Sequence, residues 1–170
     1  EFNEAAGTAP SSSEFDLGSD YAAGDGTLIG NAGWGNNERQ WYTPSQARTD
    51  GAGNLVLTAK KTVAGDNLSC YYGTCTWKSA KLVTLGKVGF KYGRLEIRAK
   101  VSGGRGQWPA IWMLGANQPS VGWPQCGEID IAEMKGDLPN TVWGTLHGPG
   151  YLNRGGTAAI SGGFTGYHVY

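Results

Sequence analysis

Gly93-Arg94-Leu95-Glu96-Ile97-Arg98-Ala99-Lys100-Val101 alternates apolar and charged residues without a break. Leu95, Ile97, Ala99 and Val101 point one way, and Arg94, Glu96, Arg98 and Lys100 the other, which is the period of two that a β-strand imposes. Working outward, strands are predicted at 54–60, 109–114, 127–134 and 141–147. Turn signals separate them at Gly103-Gly104, from Gly115 to Pro119 and at Gly136-Asp137, and residues 5–13 read as a loop. No long stretch keeps a helical period with caps. The pattern is all-β, and a sandwich is the expected architecture. With no internal repeat and no linker, residues 1–170 are expected to form one domain.

Composition narrows the function. The 170 residues carry 14 basic and 14 acidic side chains, so charge gives no reason to expect nucleic acid or an anionic membrane as partner. No apolar run is long enough to span a bilayer as a helix. Seven Trp, eight Tyr and four Phe sit beside 29 Gly, a balance that suits tight turns between short strands and leaves aromatics over for a groove. Cys70 and Cys75 flank a turn-like Tyr-Tyr-Gly-Thr segment that could close a disulfide loop, or they remain two thiols; a bridge would imply an oxidising compartment. Cys126 is left over, as a buried thiol rather than a nucleophile. The charged face of 94–100 either meets water or lines a polar groove. Trp143, Thr145 and His147 share one face of their strand.

The chemistry is concentrated in Gly127-Glu128-Ile129-Asp130-Ile131-Ala132-Glu133-Met134. On a regular strand Glu128 and Asp130 share a face and Glu133 falls on the opposite one, where it would meet the core at high cost. One extra residue in a β-bulge at Ile131-Ala132 restores the parity and turns all three acids the same way. Carboxylates so placed repel one another, and with partial desolvation at least one has a raised pKa. One protonated and one ionised carboxyl, about 5–5.5 Å apart, is what retaining glycoside hydrolysis requires. The glutamate Cα atoms lie about 13 Å apart along the strand, so the side chains must lean together. A hydrated acidic face or a calcium site remains the other reading of these residues.

Glu128-Ile129-Asp130-Ile131-Ala132-Glu133 resembles the active-site signature of family 16 glycoside hydrolases, in the longer form typical of laminarinases. Other segments support this. Gly33-Trp34-Gly35-Asn36-Asn37-Glu38 with Gln40-Trp41-Tyr42-Thr43 is similar to the family's N-terminal substrate loop, and 92–100 to its central strand. Trp108-Pro109-Ala110-Ile111-Trp112-Met113-Leu114-Gly115, Trp123-Pro124 and Leu146-His147-Gly148-Pro149 follow in order. The resemblance implies a β-jelly-roll sandwich of two antiparallel sheets with a concave cleft, in a secreted, extracellular and monomeric endo-β-1,3-glucanase acting on β-glucan. Glu128 would be the nucleophile, Glu133 the general acid and base, and Asp130 their tuning partner. Asn36, Glu96, Arg98 and His147 would hydrogen-bond the sugar, while Trp108, Trp112 and Trp123 would stack on it. Strand parity alone leaves open which of Trp108 and Trp112 face the cleft. The chemistry would need no cofactor, and one structural calcium would be held through main-chain oxygens of Glu1 and Gly53. The alternatives are a mixed-linkage β-1,3-1,4-glucanase on the same fold, a non-catalytic β-glucan-binding protein and a calcium-dependent lectin. All-β domains of this kind run to roughly 200–250 residues, so the 170 residues are expected to lack C-terminal strands of the catalytic domain.

Overall fold

A computed structural model describes residues 1–16, 31, 33 and 36–170. Trp34 and Gly35 of the expected substrate loop lie outside the described residues. Regular structure in the described chain is almost entirely β, and the chain forms two compact units, 1–89 and 90–170.

The first unit is built from short strands: β1 (Gln40–Tyr42), β2 (Ala47–Thr49), β3 (Leu55–Leu57), β4 (Lys60–Lys61), β5 (Ser69–Cys70), β6 (Gly73–Thr74) and β7 (Trp77–Ser79). The strand expected at 54–60 is split in two because it changes partner: β3 pairs with β2, and β4 with β7. One pairing, β1 with β7, is parallel. The N-terminal segment is stitched to β2 through buried Thr49, whose hydroxyl donates to the Ala5 carbonyl at 2.7 Å and whose N–H donates to Thr8 at 2.9 Å. Cys70 and Cys75 are joined by a disulfide across the β5–β6 hairpin, with Cα atoms 5.1 Å apart. Both cysteines are buried, whereas Cys126, in the second unit and outside any disulfide, is half-buried rather than buried.

The second unit holds β8 (Arg98–Ala99), β9 (Ala110–Leu114), one helical turn α1 (Gln118–Val121), β10 (Glu128–Met134), β11 (Thr141–Gly148), β12 (Tyr151–Ala159) and β13 (His168–Val169). Its main sheet has the order β12-β11-β10-β9, all antiparallel. The strand expected over 93–101 is realised as a ladder only at its far end. β8 pairs with β13, Ile97 exchanges two 3.0 Å backbone bonds with Tyr170, and Val101 donates to Phe164 at 3.0 Å. Periodicity marks which side chains alternate but does not supply a pairing partner, and partners sustain strands. The alternation survives from Ile97 onward, with Ile97, Ala99 and Val101 half-buried and Arg98 and Lys100 exposed, whereas Leu95, expected on the inward face, is exposed.

β12 has no counterpart in the sequence reading. Its Tyr-Leu-Asn-Arg-Gly-Gly-Thr-Ala-Ala composition has little intrinsic strand preference, and its pairing with β11 makes it a strand. Gly155 is required there by close approach, since a Cβ would lie 2.2 Å from the Gly144 carbonyl oxygen. Behind the sheet, Ala132 and Met134 of β10 pack with Phe164, all fully buried, against Val101, Val142, Ile160 and Tyr170. Phe164→Ala should destabilise the unit by about 3–5 kcal/mol, read from the urea midpoint. Alkylation in denaturant without reductant should add one adduct, at Cys126; three adducts would remove the disulfide.

Candidate active site

The sheet register settles the parity problem. Asp130 pairs with Thr145 and Glu133 with Trp143, three residues on β10 against two on β11. On the other side, Asp130 pairs with Trp112 and Ala132 with Ile111, two residues against one. The extra residue is the expected bulge at Ile131-Ala132. Cross-strand partners share a face, so Glu128, Asp130 and Glu133 stand with His147, Thr145 and Trp143 of β11 and with Leu114, Trp112 and Ala110 of β9. Ala132 and Met134 turn into the core behind. Trp112 therefore lies on the carboxylate face. Trp108, two residues before Ala110, reaches the same face, because its indole Nε1–H donates to Glu133 Oε1 at 2.9 Å.

Each glutamate is held by a tryptophan. Trp123 Nε1–H donates to Glu128 Oε2 at 2.6 Å. Trp123 is presented by the loop after α1, where Cys126 N–H closes on Gly122 at 2.9 Å and Gly127 N–H on Pro124 at 3.0 Å. Trp108 and Trp123 keep 48% and 45% of their surface open, so rings whose N–H groups orient carboxylates also offer faces to a ligand. From the sequence these tryptophans were expected to stack; their role as donors to the glutamates was not legible, since nothing in spacing links 108 to 133.

Asp130 is the most buried of the three acids, at 7% exposure. His147 Nε2 lies 3.0 Å from its Oδ2, and Asn153 N–H donates to His147 Nδ1 at 3.4 Å. With Nδ1 accepting from Asn153, the Nε2–H is the donor to Asp130 when the imidazole carries a single proton. A second irregularity supplies the Asn153 contact. Leu146 pairs with Arg154 and Gly148 with Tyr151, three steps on β12 against two on β11. Asn153 adopts φ 56°, a left-handed conformation that asparagine tolerates better than most residues. Its contribution was missed because it comes from the unforeseen β12.

The Asp130 carboxyl is pushed up to about 7, first by burial, then by the charge and hydrogen bond of Glu128 and the charge of Glu133, while His147 pulls it down. A protonated Asp130 can donate to Glu128 while accepting from His147. The hydrogen bonds then run in one direction, from Asn153 through His147 and Asp130 to Glu128, with Glu133 held separately by Trp108.

The remaining expected site residues stand elsewhere. Glu96 pairs with Arg94 at 2.5 Å, and the Arg98 guanidinium lies 3.7 Å from the centre of the Tyr167 ring. Among the described residues, no hydrogen bond or ion pair links either to the carboxylates. Asn36 lies in the first unit, in a turn where its N–H donates to Gly33 at 2.9 Å. In the first unit an antiparallel bridge pairs Phe2 with Gly53.

Paired carboxylates between aromatic side chains on a β-sheet face define a layout suited to sugar chemistry. Residues 35–170 match glycosyl hydrolases family 16. The chain is 42% identical over 151 residues to a beta-glucanase of Rhodothermus marinus, covering 84% of this chain and 50% of that protein. The laminarinase catalytic domain of Thermotoga maritima superposes with a TM-score of 0.80 at 39% identity, covering 94% of this chain and 63% of that one. The catalytic domain of an endo-1,3-beta-glucanase from Thermotoga petrophila gives 0.82 at 37% identity, with 99% and 66% covered. The chain belongs to glycosyl hydrolase family 16 and shares its all-β jelly-roll fold class. It spans about half the length of the curated relatives it matches.

The raised Asp130 carboxyl fixes a pH dependence. Because the folded state holds this proton more tightly than the unfolded chain, the contribution is fully present below the unfolded aspartate value, about 4. It is lost as pH rises through about 7. Asp130→Asn cannot ionise, so its melting temperature relative to the wild type should climb across that window. A difference that stays constant with pH would show that Asp130 does not carry the proton.

Proposed function

We propose that the protein hydrolyses internal β-1,3 bonds of laminarin-type glucan, with retention of configuration, through a covalent glycosyl-enzyme intermediate. The observation that carries this reading is the presence of Glu128 and Glu133 on one bulged strand face, each with an oxygen held by an indole N–H. Glu128 is the nucleophile: Trp123 and Asp130 fix its orientation, and a proton on Asp130 turns the contact between the two acids into a hydrogen bond. Glu133 protonates the departing sugar oxygen and then takes a proton from the water that releases the intermediate. Trp108, Trp112 and Trp123 supply ring faces to the glucan. His147 acts through Asp130, with Asn36, Glu96 and Arg98 as hydrogen-bonding contacts to the sugar.

No cofactor takes part in the chemistry. Calcium held through the main-chain oxygens of Glu1 and Gly53 has a structural role, so chelation lowers the melting temperature. The Cys70–Cys75 bridge supports a secreted location. A non-catalytic glucan-binding role is disfavoured because both glutamates are in place.

Two measurements test the reading. Reducing-sugar release should be highest on laminarin, lower on lichenan and negligible on agarose and carrageenan. Equal or greater activity on lichenan would favour the mixed-linkage alternative. Glu128→Ala should abolish turnover, with azide restoring an inverted product from an activated substrate. Glu133→Ala should lose about 10²–10⁴-fold, and azide should give a product of retained configuration. The same stereochemistry in both variants would refute the assignment.

A further inference from the structure

Lys135 stands two residues beyond Glu133, and its Nζ lies 4.8 Å from the centre of the ring of Trp143, the cross-strand partner of Glu133. The ammonium is therefore on the carboxylate face. Together with Arg105, Gly106, Gln107, Trp108 and Asp137, Lys135 lines an open cavity of about 510 Å³. Its wall includes the same tryptophan whose indole donates to Glu133, so one side chain links the cavity to that carboxyl.

The fold fixes this cavity through its backbone. Gly104 N–H donates to the Gly136 carbonyl at 2.9 Å and Gly136 N–H to the Gln107 carbonyl at 2.9 Å. The contact requires glycine at 136, since a Cβ there would lie 2.0 Å from the Gly104 oxygen. Gln107 adds a 3.1 Å bond from its side-chain amide to the Gly103 carbonyl. The loop carrying Arg105 is thus clamped to the turn carrying Lys135. Neither cation takes part in an ion pair among the described residues, although Asp137 lines the same cavity.

A neutral glucan would not by itself call for two cations without ion-pair partners beside an aromatic wall. A sugar bearing an oxyanion does: its ring stacks on the indole, the Arg105 fork meets two oxygens, and Lys135 adds a point charge. We propose that the Arg105–Lys135 cavity is a subsite, next to Glu133, for a sugar unit carrying an anionic substituent. The proposal builds on the hydrolase reading above and extends its substrate class from neutral glucan to chains with sulfate-ester or carboxylate groups.

The test compares three polymers: laminarin, laminarin bearing sparse sulfate esters, and laminarin oxidised at C6 to bear sparse carboxylates. The quantity read is kcat/KM for each anionic polymer divided by kcat/KM for the neutral one. Wild type should prefer at least one anionic polymer at low salt, with the preference shrinking at high salt. In Arg105→Gln/Lys135→Gln the ratio should fall about fivefold to tenfold, and in Lys135→Gln alone by less. The polymer that responds identifies sulfate or carboxylate as the group received. Ratios that are the same in wild type and double variant for both polymers would overturn the proposal, as would a wild-type preference for neutral laminarin over both. If no polymer is hydrolysed, the hydrolase reading fails, and the same ratios taken from calorimetric affinities decide the subsite separately.

Discussion

One extra residue in a strand governs the site. A seven-residue strand with acids at its first, third and sixth positions cannot keep all three on one face while it stays regular. The bulge at Ile131-Ala132 removes the conflict and decides both sides of the sheet at once. In front, Glu128, Asp130 and Glu133 line up with His147 and four tryptophans, Trp108, Trp112, Trp123 and Trp143. Behind, Ala132 and Met134 become the fully buried centre of the core with Phe164. Core and site are thus two faces of one register.

Gathering acids has a cost, and the structure meets it with directional hydrogen bonds. Like charges on a partly desolvated face raise the free energy of the ionised state. Keeping a proton on Asp130 relieves part of that and turns a repulsion into a donated hydrogen bond. A second irregularity, at Asn153 in β12, then fixes the tautomer of His147 that feeds Asp130. Two local departures from regular β geometry, on strands flanking β11, therefore cooperate in one polar network. Bulges often re-aim side chains beside functional sites, and here each does so for a different member of the chain.

Much of this was legible before the fold was seen. Alternation and the displaced third acid sufficed for the all-β class, the bulge, and the shared face of Trp143, Thr145 and His147, because those depend on period-two geometry alone. The hidden parts depend on partners distant in sequence. Residues 93–101 alternate like a full strand but pair only near their end, and β12 pairs well with a composition that does not announce a strand. The donor roles of Trp108 and Trp123 arise from loops pinned by backbone bonds, which side-chain pattern does not encode. Glu96 and Arg98 were assigned through resemblance, and within the described residues they contact Arg94 and Tyr167 rather than the acids.

The central claim is that the bulge brings the three carboxyls together so that Asp130 holds a proton for Glu128. The most direct test is a carbon-13 NMR titration with the aspartate and glutamate side-chain carboxyls labelled. The account predicts that the Asp130 carboxyl carbon titrates with a midpoint near 7, and that the Glu128 carbon senses the same step. An Asp130 midpoint near 4, the ordinary aspartate value, with no echo at Glu128, would contradict it.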